Sequence, residues 1–465
     1  MSSFPSRWSR WVGVVGALGA LAALPPGALA AQSGALHLPY SIDTLPNGLT
    51  LIIHEDHSVP TVAVNTWFHV GSGDERVRRT GFAHLFEHLM FMGSEHAPYP
   101  MFDRLLEAAG ADNNGSTTED RTNYYESGPR TALPLMLWLD ADRMGWMVNT
   151  MDSAKVDLQR DVVKNERRER LENAPYGVAR DHLPGALYPA GHPYSWPVIG
   201  SMVDLSAASV TDVQNFFRVF YAPNNATLVV AGDVDPAEVR RLVRQYYGEI
   251  PRGPDPDRPP TPTFALHRDT VVVLEDHVQL PRLYLDWHTV RGFAPDDPAL
   301  NVLGYILTGA KNGRLTQALV HDRQVATNVF AGQDGKRRDG DFSVISTAKP
   351  GIPLDTLQGI IDRELARLVA DGPTARELDQ AKNALEADQL RSLENVLAKA
   401  DQLNYYYYFT GNPDYLAQDL AHLRAVSAAD VQRVARQYLQ APRVTLSVVP
   451  EGKQALAATR PGVTP

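Results

Sequence analysis

The chain is 465 residues long, more than one hydrophobic core usually organises, so two or more domains are expected. With 44% hydrophobic and 21% charged residues it has a globular composition, which excludes a disordered or fibrous chain. A formal net charge of -10 argues against a surface that wraps nucleic acid. The absence of cysteine excludes disulfides, thiol catalysis and cysteine-ligated zinc, so any metal must be held by His, Asp or Glu.

Residues 1–30 read as a targeting segment. Arg7 and Arg10 precede an apolar run over 11–24, Pro25, Pro26 and Gly27 break it, and Ala28, Leu29 and Ala30 supply small residues before a cleavage site. The run is shorter than the roughly 20 residues of a membrane span. A cleaved signal peptide, export to a bacterial periplasm and no stable membrane anchor after cleavage are expected. β-rich runs follow at 49–53 and 62–70. The segment 81–94, GFAHLFEHLMFMGS, then places His84, Glu87 and His88 in otherwise apolar surroundings. On a helix, positions four apart stand on one face, so both imidazoles can reach one ion with Glu87 beside them. Neutral imidazoles suit zinc, and a neighbouring carboxylate can take a proton from water on the ion. The order H-x-x-E-H inverts the better known zinc-protease motif. The alternative is a histidine pair hydrogen-bonded to Glu87 on a half-buried helix, at a high desolvation cost.

Helical periodicity returns at 102–109 and 133–148. Segment 157–173, DLQRDVVKNERRERLEN, is helical and charged. Val162 and Val163 are taken as a buried stripe with Glu166 on the same side, and Glu169 one turn on competes as the third metal ligand. A β-rich run at 226–231 and a helix at 236–247, capped by Asp235 with Pro236 in its first turn, close this half. Six prolines make 250–262 a linker. Beyond it lie a strand at 271–274, a helix at 374–393 and an aromatic run at 405–409 read as helix packing.

The second half echoes the first. Glu55-Asp56-His57 and Trp67 recur as Glu275-Asp276-His277 and Trp287, 220 positions on. Asp212-Val213-Gln214 with Thr227-Leu228 recur as Asp430-Val431-Gln432 with Thr445-Leu446, 218 on. The expected organisation is residues 1–30 signal peptide, 31–249 zinc-bearing domain, 250–262 linker and 263–465 homologous domain. The fold class is α+β, two homologous α/β rolls. Adding 220 to the metal positions gives Gly304, Leu307 and Thr308, so the second half holds no such site. His57, His277 and His182 are read as serving the fold, His192 in GHPY as a support of the site that is not a ligand, and KNGRL at 311–315 as a turn.

HLFEH, VVKNE, NNGSTTEDRTNYY, GHPYSWPVIG and YAPNNATLVVAGDVDP together resemble the pitrilysin, insulysin and mitochondrial processing peptidase family of inverted-motif zinc peptidases, in its short bacterial form. The similarity runs from about Leu45 to Val449. It implies a zinc endopeptidase that acts on peptides or unfolded segments inside a clam-like chamber, each chain forming one side. It implies one Zn2+ per chain on His84, His88 and Glu166, with Glu87 as the catalytic base. Asn114, Thr117, Asp120, Thr122 and Tyr124 match the edge-strand region that holds substrate by backbone addition. Gln159 stands where the family often has a second glutamate. In a segment where active members carry a substrate-gripping Arg and Tyr, this chain has Val320 and Thr327; Arg323 nearby is read as a surface charge, with partial substitution for the missing Arg as the alternative. That departure predicts a hetero-oligomer whose homologous partner subunit supplies both grips, with a homodimer as the alternative. The rival of a different class is a non-catalytic scaffold or peptide holder of the same fold.

Overall fold

The computed structural model describes residues 36–459 apart from Thr263 and Ala310, so the expected signal peptide lies outside the described residues. The strands are β1 (Ser41–Thr44), β2 (Thr50–Glu55), β3 (Thr61–Phe68), β4 (Asp112–Thr117), β5 (Thr122–Pro129), β6 (Ala226–Gly232), β7 (Thr270–Asp276), β8 (Arg282–Thr289), β9 (Ala326–Gly335), β10 (Gly340–Ala348) and β11 (Val444–Pro450). They form two sheets, in the orders β1-β2-β6-β3-β5-β4 and β7-β11-β8-β10-β9. Apart from β1 the two orders are the same, with β2 parallel to β6 and β7 parallel to β11. The sequence echoes fall on equivalent places. Trp67 and Trp287 lie on β3 and β8, and Asp212 and Asp430 complete capping boxes with Ser209 and Ser427 at the starts of the helices before β6 and β11. Mixed sheets with helices on their faces bear out the α+β class.

Most expected elements form within a residue or two of their predicted bounds, but the helix expected over 157–173 starts four residues earlier at Ser153 and leaves regular α-helix after Arg167; Asp235 caps its helix by accepting from Ala237 N at 2.8 Å. No regular structure occurs from Pro251 to Pro262. One face of each sheet carries its own half's helices. The first core joins Leu51, Val62, Val64 and Val230 to Leu85, Phe86 and Leu89, and the second joins Leu283, Leu285 and Val344 to Leu300, Leu303 and Leu307.

The other faces are covered by exchange. Helix Val396–Thr410, which contains the aromatic run, lays Ala400, Leu403 and Tyr406 over Ile52, Ala63, Val229 and Ala231 of the first sheet. Asp401 on that helix accepts from Asn65 at 3.1 Å and from the Trp67 indole at 3.0 Å. Helix Gly177–Leu187 of the first half lays Ala179 and Leu187 over Val444, Leu446 and Val448 of the second sheet. Neither sheet's second apolar face could stay open to water, and this reciprocal cover makes one body of the chain from His37 onward.

Candidate active site

The metal motif forms helix Phe82–Leu89. Phe82, Leu85, Phe86 and Leu89 face the core, which turns His84 and His88 to the other side. Gly81 starts the helix in the left-handed region at φ 86, where an added Cβ would stand 2.6 Å from Ile199 O, so only glycine fits. The first turn's free amides are satisfied by the buried Glu75 carboxylate, which accepts from Gly81 N at 2.9 Å and Ala83 N at 2.8 Å and from the Trp196 indole at 3.1 Å.

Glu166 comes from the last turn of helix Ser153–Arg167. Its Oε2 lies 3.1 Å from His88 Nε2 and 3.7 Å from His84 Nε2. Ligand atoms of His84, His88 and Glu166 all lie within 4.8 Å of one another, and among the described residues no other His and acid cluster does so. Glu166 Oε2 is buried without a hydrogen-bond donor, a cost that an ion shared with the two imidazoles would remove. Glu166 Oε1 is fixed by Arg170 at 2.8 Å. Burial, followed by the neighbouring His88, pulls His84 down to about 4, so its imidazole is neutral at pH 7 as a metal ligand must be. The two His and one Glu therefore fit zinc, with a fourth position left for water.

Glu169 takes no part. It is exposed on the widened turn Arg168–Glu172. Val163 is buried as read from the sequence, but Val162 is 40% exposed, which corrects the buried stripe to a single residue. Glu87 stands beside the ligand set, and its Oε2 accepts from Thr117 Oγ1 at 2.5 Å. Burial raises its carboxyl above the ordinary range, with the Thr117 bond and His88 opposing, which suits a group that must both take and give a proton. Gln159 is adjacent, with its Nε2 2.8 Å from Met92 Sδ.

The five expected substrate residues divide. β4 is the free edge of the first sheet, and Asn114 and Thr117 on it line a cleft of about 830 Å³ with His84, Glu87, His88 and Glu166. Asp120, Thr122 and Tyr124 are buried and do not line that cleft. β5 lies between β3 and β4, so Thr122 and Tyr124 point into the protein. The Thr122 hydroxyl donates to Val70 O, the Tyr124 hydroxyl meets that of Tyr221, and Asp120 accepts from the Tyr194 hydroxyl and Arg337 N. Arg170 and Arg180, which the sequence reading passed over, line the cleft. The four-residue step from Glu166 to Arg170 was the available signal for the first of them.

Among the described residues the second half lacks the metal-ligand side chains at the equivalent helix. Its helix Asp297–Thr308 carries Gly304 and Thr308 at the positions 220 beyond the histidines. A Cβ on Gly304 would stand 3.1 Å from Ala331 O, and the Thr308 hydroxyl accepts from Ala331 N at 2.9 Å. Small residues bring this helix directly onto β9, where the first half keeps an opening before β4.

The sequence model described as "Insulinase (Peptidase family M16)" matches residues 50–196, and "Peptidase M16 inactive domain" matches residues 207–385. The chain is 28% identical to zinc protease PqqE of Helicobacter pylori over 85% of this chain and 89% of that one. It is 24% identical to a probable mitochondrial-processing peptidase subunit beta of Arabidopsis thaliana over 90% and 80%. A crystal structure of a protease from Helicobacter pylori superposes with a TM-score of 0.82, at 27% identity over 89% of this chain and 100% of that chain. The first half of periplasmic protease PqqL from Escherichia coli, at 19% identity, shares the fold with a TM-score of 0.74 over 90% and 94%. Two matches to models of one family, which together span most of the sequence, establish that the chain belongs to the M16 insulinase family of peptidases.

Proposed function

We propose that the chain is a zinc-dependent endopeptidase, with one Zn2+ held by His84, His88 and Glu166 and with Glu87 as general base. The observation that carries this reading is the buried Glu166 Oε2, which has no donor and faces two imidazole nitrogens, with a second carboxylate beside them. Bound zinc would polarise the scissile carbonyl and acidify water. Glu87 takes the water's proton at Oε1 or Oε2 and returns it to the leaving amine. Thr117 holds that carboxylate in place. The free edge of β4 supplies backbone donors and acceptors to an extended peptide, which needs little side-chain specificity. Substrates on this reading are peptides or unfolded segments, cut within a chamber of which this chain is one side.

Three further parts belong to the same reading. The chain acts in the periplasm after loss of residues 1–30. This rests on the signal-like composition, and no helix among the described residues is long and apolar enough to cross a membrane. The domain bounds are 31–249, 250–262 and 263–465, a reading supported by the repeated sheets and the irregular linker. A homologous subunit supplies the Arg and Tyr grips absent at Val320 and Thr327; gel filtration and cleavage assays of the purified chain should show low activity until that subunit is added. Full activity as a homodimer would refute this partnership. Metal analysis separates enzyme from scaffold: about one zinc per chain supports the enzyme, and protein that stays metal-free in excess zinc would overturn it.

A further inference from the structure

The chain is acidic overall, at -10, yet the cleft ends in two arginines. Arg170 follows the Glu166 helix, and Arg180 stands on helix Gly177–Leu187. The carboxylates of the cleft are already engaged. Glu166 gives Oε1 to Arg170 and faces the imidazoles with Oε2, Glu87 accepts from Thr117, and Glu119 is largely buried with the cation of Lys336 acting on it. Arg180 is exposed and has no hydrogen bond or ion pair among the described residues. Its helix is nonetheless fixed. The adjacent Asp181 binds Arg167 at 2.6 Å, Ala179 is buried against the second sheet, and Pro184, one turn on, lines the same cleft. An unpaired guanidinium is therefore held on a rigid element in the cleft lined by Asn114 and Thr117 of the β4 edge.

We propose that Arg180 is a specificity residue that receives a carboxylate of the peptide in this cleft, so that the favoured substrates are acidic. The inference rests on the peptidase reading above. A guanidinium fork matches a carboxylate with two parallel N–H bonds, and a peptide extended along β4 sends every second side chain to one face. Two sources offer the same chemistry, an Asp or Glu side chain and the C-terminal carboxylate of a short peptide.

The test uses the full zinc-loaded chain carrying Glu87→Gln and fluorescence anisotropy with labelled peptides of one sequence. Glu, Gln or Lys is placed at each position in turn, each peptide as free acid and as amide. At the position facing Arg180 the Glu peptide should bind about tenfold more tightly than the Lys peptide, one exposed attraction exchanged for one repulsion. Adding Arg180→Glu should reverse the order, and Arg180→Gln should abolish it. A preference that survives amidation assigns the side chain, and one lost on amidation assigns the C-terminus. Equal binding of Glu and Lys peptides at every position, or an unchanged order in Arg180→Glu, overturns the proposal. Wild-type turnover of the same peptides, assayed with the homologous subunit present, separates the two claims. Hydrolysis without charge preference removes only the role of Arg180, whereas charge-selective binding without hydrolysis of any peptide removes the peptidase reading and keeps the carboxylate site.

Discussion

Replacing Glu166 by Gln should weaken zinc binding by about two orders of magnitude, whereas Glu169→Gln should leave it unchanged. A four-coordinate protein zinc site binds with about 10–16 kcal/mol. One of its ligands is then worth roughly 3 kcal/mol, or about a hundredfold in Kd. The structure puts the whole effect on Glu166, whose Oε2 lies 3.1 and 3.7 Å from the two imidazole nitrogens, while Glu169 is exposed on the next turn. Loss of the Arg170 pair adds little, because the Arg170 side chain is 66% exposed. Competition titration against a chromophoric chelator at fixed pH measures the change, since protons compete for the same imidazoles. An equal loss in both variants, or a larger one in Glu169→Gln, would refute the ligand assignment.

Other consequences follow from buried groups elsewhere in the fold and at the start of the histidine helix. Burial pushes Asp286 on β8 up to about 8, so the folded protein holds it protonated where the unfolded chain ionises it. The stability linked to it is fully present below the unfolded value near 4 and is lost as pH rises through 8, at about 1 kcal/mol per pH unit. Melting of Asp286→Asn against wild type should therefore show the variant gaining between pH 5 and 8; parallel curves would refute the shift. Arg143 is 1% exposed and bridges buried Asp140 and Glu126, so Arg143→Met leaves acids without their cation and should cost about 3–5 kcal/mol in denaturant unfolding. A loss below 1 kcal/mol would show that water reaches the group. Gly81→Ala places a Cβ 2.6 Å from Ile199 O at a positive φ; a cost of about 1–3 kcal/mol in thermal melts and weaker zinc binding are expected, since the histidine helix starts there.

The histidine pair and Glu87 were legible because a helix repeats locally, and an i, i+4 pair needs only that period. The third ligand was not separable by period alone. Glu166 and Glu169 are three apart, and the chain leaves regular α-helix at Arg168, where the turn widens. The linker and the duplication were legible from proline density and from echoes that fall on equivalent strands. The burial of Thr122 and Tyr124 has a nonlocal cause. Polar residues beside an edge strand look accessible in sequence, but β5 becomes interior only when β3 pairs on its other side, across more than 50 residues. The exchanged helices Gly177–Leu187 and Val396–Thr410 were hidden for the same reason. Their apolar faces show that something is covered without saying which sheet.

The most direct test of the account is peptide hydrolysis by zinc-loaded Glu87→Gln protein beside wild type, each assayed with the homologous subunit present. The carboxamide keeps the volume and sits outside the three-ligand set, so zinc should remain at about one per chain while hydrolysis falls by at least about 10². Hydrolysis at the wild-type rate with zinc bound would contradict the assignment of Glu87 as the base and with it the proposed mechanism.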